Sequence, residues 1–136
     1  MHHLKIKTGK KREILDITAH VEAALRRHHA DKTGLCQLNI LHTTAALTTA
    51  DLDPGTDLDM LDAFEHIIPK LHYRHPHNPA HAPDHILSTL IGTSLGLLVE
   101  RGSLLLGTWQ RVVLVELDGP REREVMLGFV PIGVDA

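Results

Sequence analysis

The apolar residues of this chain change their spacing along its length, from every second position to every third or fourth and back again. No all-helical or all-strand fold accommodates both periods. His3 to Lys7 alternates, placing Leu4 and Ile6 on one face of a half-buried strand, and Glu13 to Ile17 alternates again. Lys10-Lys11-Arg12 marks a turn between them, so the pair reads as a hairpin. Thr18 is placed to cap a helix running to about His29, with Val21, Ala24 and Leu25 inward. Asp31-Lys32-Thr33-Gly34 ends it, and Leu35 to Thr44 is strand-like. Asp53-Pro54-Gly55 is a turn signal. After it Leu58, Leu61, Phe64, Ile67 and Ile68 recur at helical spacing until Pro69 closes the helix. Residues 70–82 read as irregular loop. Pro83 fits the first turn of a third helix, with Ile86, Leu87, Leu90 and Ile91 toward the core. Strands follow from Gly96 to Phe129, broken at Arg101-Gly102, at Gly107 and at Asp118-Gly119-Pro120. The order β-β-α-β-α-α-β-β-β predicts an α+β fold: one compact domain over residues 1–136, a mostly antiparallel sheet packed with about three helices.

A chain of 136 residues can bury a core without covalent staples. Cys36 is the only cysteine, which excludes an intrachain disulfide. Its apolar surroundings, Leu35 to Leu41, make it a packed thiol rather than a nucleophile. A reducing, cytoplasmic location fits. The net charge of −3 argues against a general nucleic-acid binder, which needs a basic surface. No apolar run approaches the length of a membrane span, and the N-terminal residues lack a signal peptide's apolar stretch. The charge is unevenly spread. Between Lys32 and Lys70 there is no Lys or Arg, while Asp51, Asp53, Asp57, Asp59, Asp62 and Glu65 fall there. Arg101, Arg111, Arg121 and Arg123 come later. The two segments suit a metal-plus-anion site, and equally an ordinary solvated surface.

Imidazole is the side chain best matched to proton transfer near neutral pH and a common metal ligand. His72, His75, His77, His81 and His85 crowd into fourteen residues. His81 and His85 have the i,i+4 spacing of a helical ligand pair, but Pro83 disfavours a helical Ala82 and leaves His81 in the loop. His75-Pro76-His77 would point both rings one way from an extended segment. Taken singly, each loop histidine reads as surface. His42 ends a core strand ahead of Thr43-Thr44, whose hydroxyls and backbone donors suit an anionic group; a half-buried histidine bonded to a backbone carbonyl is the competing account. Trp109 is the only tryptophan and reads as a core residue on a strand, with Thr108 and Gln110 sharing the opposite face. Arg121 and Arg123 flank Glu122 and would form two forks for phosphate or carboxylate on one strand face. A solvated edge strand is the alternative.

Read in order, these pieces resemble the YjbQ family, sometimes called secondary thiamine-phosphate synthases. The matching motifs are His42-Thr43-Thr44-Ala45, Asp53-Pro54 with Asp59, Tyr73-Arg74-His75, His85 and Gly92-Thr93-Ser94. Gly107-Thr108-Trp109-Gln110 and Glu116 through Gly119-Pro120-Arg121-Glu122-Arg123 complete the set. The resemblance implies a compact α+β subunit assembled as a homotrimer, with a site near subunit boundaries. It implies that His42, His75 and His85 cluster and hold a divalent metal. It also implies synthase chemistry: a pyrimidine diphosphate joined to a thiazole phosphate with release of pyrophosphate. The chain departs from the pattern at Ala50-Asp51, where the family often has Asn-Glu, and is one residue shorter before Asp53. Asp51 stands as a candidate catalytic acid with a shorter arm. His72, His77 and His81 have no counterpart.

The expected site is a pocket for a phosphorylated small molecule. His42, His75 and His85 would hold the metal or act as acid/base groups, while Thr43, Thr44, Thr108, Gln110, Arg121 and Arg123 bind the anion. Zn²⁺ suits three imidazoles and Mg²⁺ suits diphosphate chemistry, so the two preferences pull apart. A metal-dependent hydrolase of a phosphorylated small molecule and a non-enzymatic, phosphometabolite-binding trimer are the rival readings.

Overall fold

The computed structural model describes residues 1–133. The strands are β1 (His2–Lys7), β2 (Glu13–Asp16), β3 (Gly34–Ile40), β4 (Ala45–Ala50), β5 (Ser94–Glu100), β6 (Ser103–Leu104), β7 (Arg111–Glu116) and β8 (Glu122–Pro131). The helices are α1 (Thr18–His28), α2 (Thr56–Ile67) and α3 (Ala82–Ile91), the last preceded by a 3₁₀ turn, Pro79–His81. The expected α+β class and helix count hold. The strands form two antiparallel sheets rather than one, ordered β1-β8-β3-β5-β6 and β2-β7-β4.

Two cores explain this layering. The first brings Leu38, Leu97, Val125 and Leu127 of the larger sheet together with Leu47, Val112 and Leu114 of the smaller, and with Val21 and Leu25 of α1. The second lies on the other face of the smaller sheet, where Ala46, Val113 and Val115 meet Ile68 and Leu87, with Phe64 and Leu61 of α2 packed alongside. β7 therefore contributes alternate residues to different cores. A strand buried on both faces has no polar face to show, which is why Val112 to Val115 is continuously apolar. Cys36 sits fully buried in the first core, where burial pushes its thiol up to about 11; the packed-thiol reading stands.

The proposed β1–β2 hairpin does not form. β1 pairs with β8, from His2 opposite Leu127 to Lys7 opposite Glu122, while β2 pairs with β7 in the other sheet. Alternation fixes which face of a strand is buried and says nothing about its neighbour. The chain crosses between sheets here, and crosses again between β3 and β4. The span read as one strand, Leu35 to Thr44, ends at Ile40, and the unanticipated β4 starts at Ala45. Its Ala45-Ala46-Leu47 start is buried on both faces and lacks both alternation and β-branched residues.

Helix boundaries were closer. Thr18 does not cap α1; Asp16 accepts the Thr18 N–H at 3.0 Å, and the Thr18 hydroxyl instead accepts the Val112 N–H at 2.8 Å. α2 follows its helical spacing, yet none of its residues is fully buried, and Leu58 and Ile67 are each 59% exposed. Ala82 takes helical dihedrals despite the proline after it, so α3 starts one residue earlier and His81 becomes its N-cap. The turn before β8 needs glycine. A Cβ on Gly119 would lie 2.3 Å from the Lys10 carbonyl oxygen. No helix is long and apolar enough to cross a membrane among the described residues.

Candidate functional site

The crossing from β3 to β4, residues 41–44, is tied down on three sides. Leu41 donates its N–H to Glu124 O at 3.3 Å, and Thr44 O accepts from Leu117 N–H at 3.1 Å. His42 Nε2 accepts the Glu124 N–H at 2.9 Å. Thr43 O accepts from His85 Nδ1 on α3 at 2.9 Å. Ser88, one turn further along α3, donates to Ala45 O at 2.7 Å and locks the helix against β4.

Beneath the crossing lies a buried ion pair. Arg123 and Glu116 are 1% and 0% exposed. Arg123 Nε donates to Glu116 Oε1 at 2.9 Å, and its Nη2 reaches Thr44 O at 3.0 Å and Thr44 Oγ1 at 2.8 Å. Glu116 also accepts from the Thr8 hydroxyl at 2.7 Å and from Leu117 N–H at 3.0 Å. Burial alone would raise the Glu116 pKa; the bonds from Arg123, Thr8 and Asp118 N–H outweigh it and hold the carboxyl below its ordinary range. A charge removed from water needs such complete pairing to be tolerated.

The crossing and α3 wall an open pocket of about 730 Å³, lined by His42, Thr43, His75, His85, Ser88, Thr89 and Thr93. The His75 and His85 rings lie 4.7 Å apart between centroids, tilted by 54°. His77 stands edge-on to His75 at 6.1 Å. Desolvation lowers the His75 pKa, aided by the charges of His85, His77 and His81. Desolvation also lowers that of His42, with Arg123 and Arg121 adding to it against Glu116 and Glu124. Both rings are therefore neutral near pH 7 and keep one lone pair each.

Of the residues expected at the site, His42, Thr43, His75 and His85 come together. The others go elsewhere. Arg123 and Thr44 were expected to bind an anion, but the guanidinium is enclosed and holds Thr44 to Glu116, so both are structural. Arg121 lies before β8 and does not share a strand face with Arg123; its Nε donates to Asp118 O and its Nη2 to Asp118 Oδ2, both at 2.9 Å. Thr108 and Gln110 are not on a strand. Gly107 to Gln110 is a turn closed by Gln110 N–H to Gly107 O at 3.0 Å, and Gln110 Oε1 accepts the Gly107 N–H at 2.8 Å. Trp109 is 70% exposed at the tip of this turn, not in the core. Thr108 and Trp109 line a separate hollow of about 230 Å³ with Asp16, Asp51, Asp53 and Arg111. Asp51 there accepts the Asp53 N–H at 2.8 Å.

The two groups flank opposite ends of β4, Thr44 before it and Asp51 after it. Six residues of strand span roughly 20 Å, too far for both ends to hold one small molecule within a single chain. Ser88 and Thr89 were not anticipated. Their signal was present: they follow His85 by three and four positions, the spacing of one helix face.

The chain matches the family described as UPF0047 protein YjbQ-like over residues 2–131. It belongs to that family. Its relatives include the UPF0047 protein YugU of Bacillus subtilis, 39% identical over 121 residues, covering 88% of this chain and 91% of that one. The UPF0047 protein MJ1081 of Methanocaldococcus jannaschii is 36% identical over 127 residues, 93% of this chain and 91% of the other. Among solved structures, a YjbQ-like protein of unknown function from Sulfolobus solfataricus superposes with a TM-score of 0.86 at 31% identity, covering 94% of each chain. The conserved hypothetical protein TT1486 from Thermus thermophilus gives 0.84 at 37% identity, covering 96% of this chain and 100% of the other. The single-domain α+β architecture is thus that of the YjbQ-like family.

The three-imidazole metal centre meets a geometric obstacle. Among the described residues, no group of three or more His, Cys, Asp or Glu side chains is placed to hold a metal ion. His85 is oriented as a ligand would be: Nδ1 is turned to Thr43 O, which leaves Nε2 as the nitrogen a metal would take. His75 beside it makes a pair. His42 does not fit as the third, because the nitrogen carrying its lone pair already accepts from Glu124.

Proposed function

We propose that the pocket at His42, His75 and His85 binds a phosphorylated small molecule and serves transferase chemistry of the thiamine-phosphate synthase kind. The observation carrying this reading is the juxtaposition of two neighbouring rings, His75 and His85, with the pinned crossing at His42-Thr43 in one open pocket. In such a transfer the carbon–oxygen bond to the diphosphate breaks as a bond to the thiazole nitrogen forms. Negative charge builds on the departing pyrophosphate, and fixed N–H donors stabilise it most effectively because they need no reorganisation. His42 and the Thr43 segment supply such donors. His75 and His85 would hold a divalent ion, Zn²⁺ or Mg²⁺, which when bound neutralises phosphate charge.

The exposed Trp109 and the distant hollow at Asp51 and Thr108 support assembly as a homotrimer, in which one chain's hollow completes its neighbour's histidine pocket. Coincubation with hydroxymethylpyrimidine diphosphate and the thiazole phosphate tests the synthase reading through pyrophosphate release, expected with wild type and lost in His85→Ala. Turnover of generic phosphoesters instead would favour the hydrolase. Stabilisation by phosphates with no turnover would favour the binding trimer. A buried free Cys36 supports a reducing, cytoplasmic setting.

A further inference from the structure

A neutral imidazole carries one N–H and one lone pair, so whatever occupies one nitrogen dictates what the other offers. His42 and His85 face one pocket with opposite nitrogens engaged. Nε2 of His42 accepts a backbone N–H from Glu124, and Nδ1 of His85 meets the backbone oxygen of Thr43, which can only accept. A protonated His42 would place an N–H against the Glu124 N–H, so this contact exists only with the neutral ring. His42 is left with its proton on Nδ1, and His85, in its neutral form, with a lone pair on Nε2.

We infer that His42 is a fixed N–H donor for the ligand's anionic group, working through Nδ1, while His85 is the pocket's acceptor through Nε2. Glu124 and Thr43 set this polarity through their backbone. Arg123 is a positioning residue: it grips Thr44, two residues along the crossing from His42, and ties it to Glu116 on β7. On this assignment His42 is neither a metal ligand nor a general base, unlike what its grouping with His75 and His85 suggests. The assignment rests on the reading of the pocket as an anion site, and the tautomers themselves can be measured without any ligand.

Ring ¹⁵N NMR of the histidine-labelled protein at neutral pH tests it. The expected spectrum shows His42 protonated at Nδ1 and bare at Nε2, with His85 the reverse. The opposite tautomer at His42 overturns the inference whatever the pocket binds. Inorganic pyrophosphate should shift the His42 Nδ1–H resonance, and Zn²⁺ should shift the His85 and His75 nitrogens while leaving His42 in place. Pyrophosphate that perturbs His85 but not His42 overturns the donor role while the pocket reading survives. Zn²⁺ on His42 overturns its exclusion as a ligand. If pyrophosphate moves no ring, the anion pocket fails and the donor role fails with it. His42→Gln keeps an acceptor for the Glu124 N–H and loses the Nδ1 donor, so it should fold normally and bind pyrophosphate about tenfold more weakly. Unchanged affinity in that variant contradicts the inference.

Discussion

The molecule carries histidines in two contrasting settings. At the 41–44 crossing, His42 is held by a strand behind it, an ion pair beneath the same crossing and a helix beside it. In the 70–78 loop, His72, His75 and His77 lie on a segment with sparse ties, chiefly the Tyr73 hydroxyl to Pro69 O and the Asn78 side chain to Ala80 N–H. The loop holds more imidazoles, but the crossing fixes a ring, its tautomer and its direction. Crowding of a residue type is a property of sequence; organisation comes from the backbone groups that each ring can reach.

Disrupting the crossing from beneath should have the largest effect. Arg123→Met removes the partner of a fully buried Glu116, and a cost of about 3–5 kcal/mol is expected by chemical denaturation. A loss below 1 kcal/mol would mean that the pair does not anchor the crossing. Gly119→Ala forces a Cβ against Lys10 O at the turn leading into β8. It should cost about 1–3 kcal/mol in the same assay.

The contrast also has a pH signature. His42 has a lowered pKa in the fold, as do His75, His2 and His29, each first through desolvation. For such a group the unfolded chain binds protons more readily, so its contribution is fully present above the unfolded value of about 6.5. It is lost as pH falls through the folded pKa. Melting temperature should therefore decline on acidification below about pH 6.5, before carboxylates such as Glu116 begin to protonate. His42→Gln should flatten part of that decline, and a profile identical to wild type would show that His42 is not desolvated. At the small end, His77→Ala in the loop should change stability by less than about 0.5 kcal/mol.

The sequence made the helices legible because their apolar spacing and proline or glycine ends are local features. It could not show that β1 and β2 join different sheets, since partner choice depends on residues about a hundred positions or more away. β4 escaped notice because burial on both faces erased its alternation. His42 and His85, singled out through their place in ordered motifs, line one pocket. Arg123 was misassigned for a physical reason: an arginine between two charged residues looks solvated until Glu116, seven positions earlier, is seen to enclose it. Trp109 was placed in the core by alternation along a strand shared with Thr108 and Gln110, whereas these residues form a turn that leaves the indole exposed.

Equilibrium binding of inorganic pyrophosphate to wild type, His42→Gln and His77→Gln tests the central claim most directly. The account predicts about a tenfold loss of affinity for His42→Gln and none for His77→Gln. Equal losses in the two variants, or a loss confined to His77→Gln, would contradict it.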